Sequence, residues 1–142
     1  MQAFDLTEMA GLVGITLSTA KNWTVGRPFT IPASAYEASG RGSINLYSID
    51  DVYLMAVAHE FSKAGFAAKA IGKLVDAVKA RYPNLAGVPV LTVSRPKVGG
   101  KFEIGEANPP GAALCVIIDT PGIVEGINER AEKLASRKAK KR

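Results

Sequence analysis

Apolar residues near the N-terminus recur at a spacing that predicts two short helices joined by a tight turn. Helical intervals run through the segment 6–13. Asp5 and Glu8 form a capping-box pattern at its start, and Gly14 allows a left-handed residue to end the helix at little cost. Thr16 is then placed to cap a second helix. We therefore expect a compact helix–turn–helix unit at this end of the chain.

The second of these helices, residues 17–24, is expected to have an apolar side and a polar side. Ile15, Ala20 and Trp23 should face the core. Four polar side chains are left facing outward: Ser18, Thr19, Lys21 and Asn22. Such side chains suit phosphate oxygens and base edges of DNA, as in a DNA-binding helix–turn–helix. An ordinary αα-hairpin would show the same pattern.

The next segment, residues 24–47, contains several Gly and Pro residues and two short β-prone pieces, at 29–31 and 44–47. This composition predicts a hairpin or an extended loop. Arg27 and Arg41 lie near its two ends. Beside a helix–turn–helix, such a hairpin is a wing that can follow a phosphate strand or enter a minor groove. A plain surface loop is the alternative.

Two longer helices are predicted after this segment. Ser48 begins the first with a capping-box pattern, followed by an apolar stripe, and Gly65 ends it. The second runs from about residue 67 to 81, and Pro83 prevents its continuation.

The C-terminal part reads as three strands and a helix. Strands are predicted at 88–93, 101–104 and 113–119, and Thr120 with Pro121 should begin the final helix. The fold class is therefore α+β. We assign residues 1–83 to a DNA-binding domain and 84–135 to a small β-β-β-α unit. A sheet this small buries little alone, so it should pack on the first domain or pair with a second copy. Of the two we expect dimerisation, because a short palindromic operator requires two readers.

The positive charge of the chain is concentrated at its C-terminal end. The 142-residue chain has a formal net charge of +5, and the residues 136–142 supply five positive charges, so the rest of the chain is neutral. We expect residues 136–142 to be a disordered basic tail that aids DNA affinity at low salt. One cysteine, no membrane-length apolar run and no signal-peptide pattern favour a cytoplasmic location, without a membrane partner.

Candidate chemistry is sparse, and we predict neither an enzyme nor a bound cofactor or metal. The V-I-I-D-T-P-G stretch resembles a GTPase element, but no phosphate-loop motif precedes it. Cys115 lies in an apolar strand and is expected to be a buried small residue. His59 is the single histidine and is expected on a solvated face.

Three stretches together resemble the DNA-binding domain of the MerR family over residues 4 to about 75. They read F-D-L-T-E-M-A-G-L-V-G-I-T-L-S-T-A-K-N-W, I-N-L-Y-S-I-D-D-V and K-A-G-F-A-A-K-A-I-G-K-L. The resemblance implies a winged helix–turn–helix that binds double-stranded operator DNA as a homodimer, with its second helix in the major groove. It places Trp23 at an aromatic position and Tyr47 at the tyrosine that closes the wing.

The chain also departs from the family pattern. Lys21 stands where an arginine is usual, Asn22 replaces a common aromatic residue, and Asn45 replaces the wing arginine. Pro83 blocks the long coiled-coil helix through which typical members dimerise. The usual dimer geometry is therefore not expected.

We interpret the sequence as a sequence-specific transcriptional regulator. An architectural DNA-binding protein of a phage or mobile element (excisionase-like, or a DNA-packaging subunit) and a protein–protein interaction module are the alternatives. The sequence does not indicate whether a small-molecule effector controls the protein. The predicted DNA-binding residues are Thr16, Ser18, Thr19, Lys21, Asn22, Arg27, Arg41, Asn45 and Tyr47.

Overall fold

The fold is mixed α+β, as predicted. The computed structural model describes residues 2–27, 29–36, 44–95, 101–105 and 114–141. In chain order the elements are β1 (Ala3–Phe4), α1 (Leu6–Val13), α2 (Leu17–Thr24), β2 (Tyr47–Ser48), α3 (Ile49–Lys63), α4 (Ala68–Arg81), a 3₁₀ turn (Leu85–Gly87), β3 (Leu91–Arg95), β4 (Glu103–Gly105), β5 (Leu114–Ile118) and α5 (Thr120–Lys140).

The caps that were predicted for the first two helices are present. Asp5 and Glu8 form a reciprocal capping box at the start of α1. Gly14 ends α1 in the left-handed conformation, with φ of 87°. The Oγ1 of Thr16 accepts a hydrogen bond of 3.1 Å from the backbone N–H of Thr19 at the start of α2. Local hydrogen bonds therefore define the turn between the two helices.

A two-stranded antiparallel ribbon, which the apolar pattern did not predict, joins the start of α1 to the start of α3. Phe4 pairs with Tyr47, and Ala3 pairs with Ser48. The side chains of Phe4 and Tyr47 are both buried. The ribbon brings the residue after the Gly- and Pro-rich segment next to the N-terminus of the chain.

Helix α3 lies at the centre of the molecule. The predicted apolar stripe is buried, but so is every residue from Asp51 to Ala58. The reason is that α1, α4 and α5 all pack against α3. A helix surrounded by other helices needs apolar residues all round rather than on one stripe.

The three predicted strands form an antiparallel sheet in the order β4-β3-β5. Val93 in the central strand lies opposite Ile104 and Val116, and Leu91 lies opposite Ile118. Leu91 and Val93 are fully buried. This side of the sheet therefore contributes to the core.

Helix α5 corrects two predictions. Asp119, rather than Thr120, is the N-cap residue, and its Oδ1 accepts a hydrogen bond of 3.1 Å from Gly122 N–H. The helix continues to Lys140, so residues 137–140 are helical rather than disordered. Burial of Ile127 and Ala131 anchors the helix, and cations in its last turn suit the negative end of its dipole.

One continuous hydrophobic core connects the N-terminal helices to the C-terminal sheet and helix. It includes residues from α1, α3 and α4 together with Leu91, Val93, Ile118 and Ile127. The C-terminal part thus packs on the N-terminal part, which is the other of the two arrangements considered; pairing with a second copy stays a prediction. Ser18 and Lys21, on the outward side of α2, are exposed, and the main packing contacts of α5 are with α1, α3 and the 3₁₀ turn.

Candidate nucleic-acid interface

The buried side of α2 sets the orientation of this helix. Ala20 is fully buried and Trp23 is 8% exposed, as expected. The Trp23 ring packs on Phe29 with 5.2 Å between the ring centroids. The backbone carbonyl of Trp23 accepts a hydrogen bond of 2.8 Å from Ile31 N–H. These contacts hold α2 against the following segment and leave its other side outward.

The outward side carries the polar residues that the sequence placed there. Ser18 and Lys21 are exposed, and Thr19 and Asn22 are half-buried. The hydroxyl of Thr16 is exposed and also donates a hydrogen bond of 2.9 Å to the Thr19 hydroxyl. Ser18 and Lys21 are therefore the predicted site residues best placed to reach a ligand from α2.

Asn22 has a structural role that the residue pattern did not reveal. Its backbone carbonyl accepts hydrogen bonds from the N–H groups of Val25 and Arg27, at 3.3 and 2.9 Å. These bonds end α2 and begin the following turn. They keep Arg27, whose side chain is exposed, close to the C-terminal end of α2.

The predicted hairpin is only partly correct. Tyr36 and Leu46 form an antiparallel bridge, with N···O distances of 3.0 and 2.7 Å in the two directions. Phe29 and Ile31, however, are core residues rather than part of a projecting strand. Phe29 packs closely against Gly72 of α4. A Cβ added at position 72 would lie 3.1 Å from the Cβ of Phe29. Large apolar side chains at these two positions favour burial over projection.

Two predicted wing residues have different environments, and a third lies outside the described residues. Tyr47 is only 2% exposed, so its side chain belongs to the core and does not form part of an outer surface. This corrects its assignment as a contact residue; pairing with Phe4 in the ribbon accounts for its burial. Asn45 is exposed. Arg41 falls in residues 37–43, which the structure does not describe.

A polar cluster anchors the base of this segment on α3. The Oδ2 atom of Asp51 accepts hydrogen bonds from the N–H and the hydroxyl of Ser34, at 2.9 and 2.8 Å, and from Ser48 N–H at 2.9 Å. Asp51 is buried, and it is also the third residue of α3, the partner of the N-cap residue Ser48 in the capping box. The sequence revealed the cap, but no local signal linked Asp51 to Ser34.

The basic end of α5 lies beside the start of α1. The Lys138 ammonium forms an ion pair with the carboxylate of Glu8. The neighbouring cations Arg137, Lys140 and Lys141 are exposed. Positive charge from the end of the chain is thereby placed next to the first helix of the α1–α2 pair, which the sequence could not reveal.

The sequence predicts a solvated His59 and a buried Cys115, whereas both side chains are intermediate in exposure. His59 is half-buried, rather than fully solvated as expected, and burial, aided by the Lys63 charge, lowers its pKa. Cys115 is half-buried in β5. Across the described ranges, His, Cys, Asp and Glu side chains do not form a group of three or more that could hold a metal ion.

Within the same ranges, the helices lack the combination of length and apolar character that crossing a membrane requires. Comparison of the sequence with protein-family models gives no match, and a search of curated proteins finds no relative.

Proposed function

We propose that the protein binds double-stranded DNA in a sequence-specific manner and acts as a transcriptional regulator. In this mechanism α2 enters the major groove, and Ser18 and Lys21 contact bases or the phosphates that flank them. Arg27 and Asn45, which are exposed at the two ends of the predicted wing, contact the neighbouring phosphate backbone. The observation that supports this proposal is the free polar side of α2, which is oriented by the burial of Ala20 and Trp23 on its opposite side.

The charges around α2 agree with an anionic partner. Residues 16–27 contain Lys21 and Arg27 and no acidic residue. Exposed cations without neighbouring carboxylates are the usual contacts of a DNA phosphate strand. The cations at the end of α5 would extend this positive potential toward α1.

A homodimer is part of the proposal, since a short palindromic operator needs two copies of the binding helix. Helix α4 ends at Arg81, and its C-cap residue Tyr82 has left the helical conformation. A long coiled coil therefore does not continue from α4. Another surface would have to join the two copies. An architectural role on DNA is therefore kept as a variant of the same proposal.

A protein-binding module is the second candidate, and one observation favours it. Leu17 and Val25, at the two ends of α2, are 49% and 56% exposed. Exposed apolar residues beside a polar helix face also suit a protein partner. In that case the α1–α2 pair would pack on protein rather than on DNA.

Selection of bound fragments from a random DNA pool by the full chain tests the proposal. We expect enrichment of one motif, with two half-sites if a dimer binds, and affinity that falls as salt is raised. Sedimentation of the protein with the enriched fragment gives the number of bound copies. Absence of measurable binding at low salt would contradict DNA binding and favour the protein-binding module.

A further inference from the structure

We propose that the groove between α4 and β4 binds a small amphipathic organic anion, a molecule with an apolar body and a carboxylate or similar acidic group. The groove has a volume of about 780 Å³. That volume lies within the range of about 300–1,000 Å³ that is typical of small-molecule sites. The residues that line it belong to 67–81 and 101–104 rather than to α2, so the proposal does not rest on DNA binding by that helix.

The floor of the groove is apolar. Leu74 and Ala70 line it from α4, and Phe102 and Ile104 line it from the strand side. Alanine at position 70 leaves the space that a longer side chain would fill. An apolar body of drug size would remove this surface from water, which is the main source of affinity in such sites.

The wall on the strand side is held in place. The Phe102 ring makes an edge contact with Phe66, with 5.0 Å between centroids, and the Arg95 guanidinium lies 4.5 Å from the Phe102 centroid. The Arg81 guanidinium donates a hydrogen bond to the Ile104 carbonyl and so ties α4 to β4. The groove is therefore a preformed feature of the fold.

Among the described residues that line the groove, the rim carries four cations and no carboxylate: Lys69, Lys73, Arg81 and Lys101. In the part of the chain that the structure describes, the three lysines form no ion pair; the ion pairs there join Lys63 to Glu60 and Lys138 to Glu8. Lys69 and Lys73 are four residues apart on one helix, where like charges repel each other. A bound anion would relieve this repulsion.

The apolar floor and the cationic rim together favour an amphipathic anion over the other occupants. A nucleic-acid backbone would neutralise the rim but would leave the apolar floor uncovered. A neutral apolar compound would fill the floor but would gain nothing from the lysines. An acidic peptide segment, from a partner protein or from a second copy of the chain, also combines apolar and negatively charged groups. The binding experiments distinguish it from a small molecule.

The test uses the full chain and two matched pairs of compounds. 2-Naphthoate and octanoate are each compared with the neutral alcohol of the same carbon skeleton, and binding is followed by amide NMR shifts. We expect saturable shifts at residues of α4 and β4, with the anions binding about tenfold more tightly than the alcohols because a lysine–carboxylate contact contributes roughly 1.4 kcal/mol.

Two pairs of variants locate the site. Lys73→Gln should weaken anion binding by about three- to tenfold, whereas Lys79→Gln, which removes a charge from the same helix outside the groove, should not. Ala70→Leu should block the groove and abolish binding, whereas Ala80→Leu at an exposed position should not. Amide spectra of the free variants verify that each one is folded.

Three results would overturn the proposal. They are no saturable shifts with either anion at millimolar concentration, equal affinity for the anions and alcohols, and shifts outside the groove. If Lys73→Gln changes sedimentation or DNA affinity while neither anion binds, the groove is occupied by a macromolecule instead.

Discussion

The side-chain Nε of Arg130 on α5 donates a hydrogen bond of 2.8 Å to the backbone carbonyl oxygen of Leu12 on α1. The carbonyl belongs to the last turn of α1, whose terminal carbonyls have no partner within the helix. The two residues are 118 positions apart in sequence. This contact and the Lys138–Glu8 ion pair attach α5 along the first helix of the candidate DNA-binding unit.

Replacement of Arg130 by Met is expected to destabilise the fold by about 1 kcal/mol, because it removes a charged donor from the Leu12 carbonyl while keeping most of the apolar stem. Urea unfolding measures the difference. Arg137→Met on the same helix, at an exposed position, is the control and should have little effect. Equal stability of the Arg130 variant and the natural protein would contradict a stabilising role.

Gly11 within α1 and Gly14 at its C-terminal end carry opposite expectations for replacement by alanine. Gly14 has φ of 87°, and Gly14→Ala should lower the free energy of unfolding by about 1 kcal/mol, since a Cβ strains the left-handed conformation. Gly11 lies within α1 with open space around it, and Gly11→Ala should stabilise by about 0.5 kcal/mol. Thermal unfolding of both variants checks the signs, and the same sign for both would refute this account of the turn.

If α2 reads DNA bases through Lys21, Lys21→Ala should weaken binding to the selected motif by about 1–3 kcal/mol and leave binding to unrelated DNA nearly unchanged. A uniform loss on all sequences would instead assign Lys21 to a phosphate. The control is Lys133→Ala, which removes an exposed positive charge from a different helix, α5. Fluorescence anisotropy with the motif and a scrambled duplex gives both affinities.

The cations at the end of α5 are expected to add non-specific attraction. Changing Arg137, Lys140 and Lys141 to Gln should make the dependence of log affinity on log salt shallower, by about 0.9 for each phosphate contact that is lost. The preferred motif should stay the same. Glutamine preserves the helix, and circular dichroism verifies this. A changed motif would mean that these residues read sequence.

Protonation of His59 at acidic pH is expected to destabilise the fold. Burial lowers the pKa of this half-buried side chain below its ordinary value of 6.5, so the unfolded chain binds the proton more tightly. The free energy of unfolding should therefore decrease as pH falls below about 6.5, by no more than about 1.4 kcal/mol per pH unit for one proton. His59→Gln should remove this contribution. Urea unfolding between pH 7.5 and 5.5 compares the two proteins, and identical pH dependence would exclude His59 as its source.

Elements that depend on near neighbours in sequence were predictable. The caps formed by Asp5, Thr16 and Ser48 all use partners three residues away, and the periodicities of the helices and strands report which residues face inward. The same reasoning predicted that Ser18 and Lys21 face outward. The polar side of α2 is thus a property of local pattern.

The positions of these elements relative to one another were not predictable in the same way. Burial of Tyr47, Phe29 and Ile31, and of α3 on all sides, depends on which distant residues pack against them. The same holds for the Tyr53 hydroxyl, which donates a hydrogen bond to the Asn128 amide oxygen 75 residues away. Whether a projecting loop residue becomes a core residue depends on its neighbours in space.

Local hydrogen bonds and hydrophobic periodicity therefore account for the helices, their caps and the polar face of α2, since these involve residues within one or two turns. Packing between distant segments accounts for the α4–β4 groove, the helical C-terminus beside α1 and the removal of Tyr47 from the outer surface. Apolar burial is non-directional and gives no register in one dimension, so these arrangements arise only when the whole core forms.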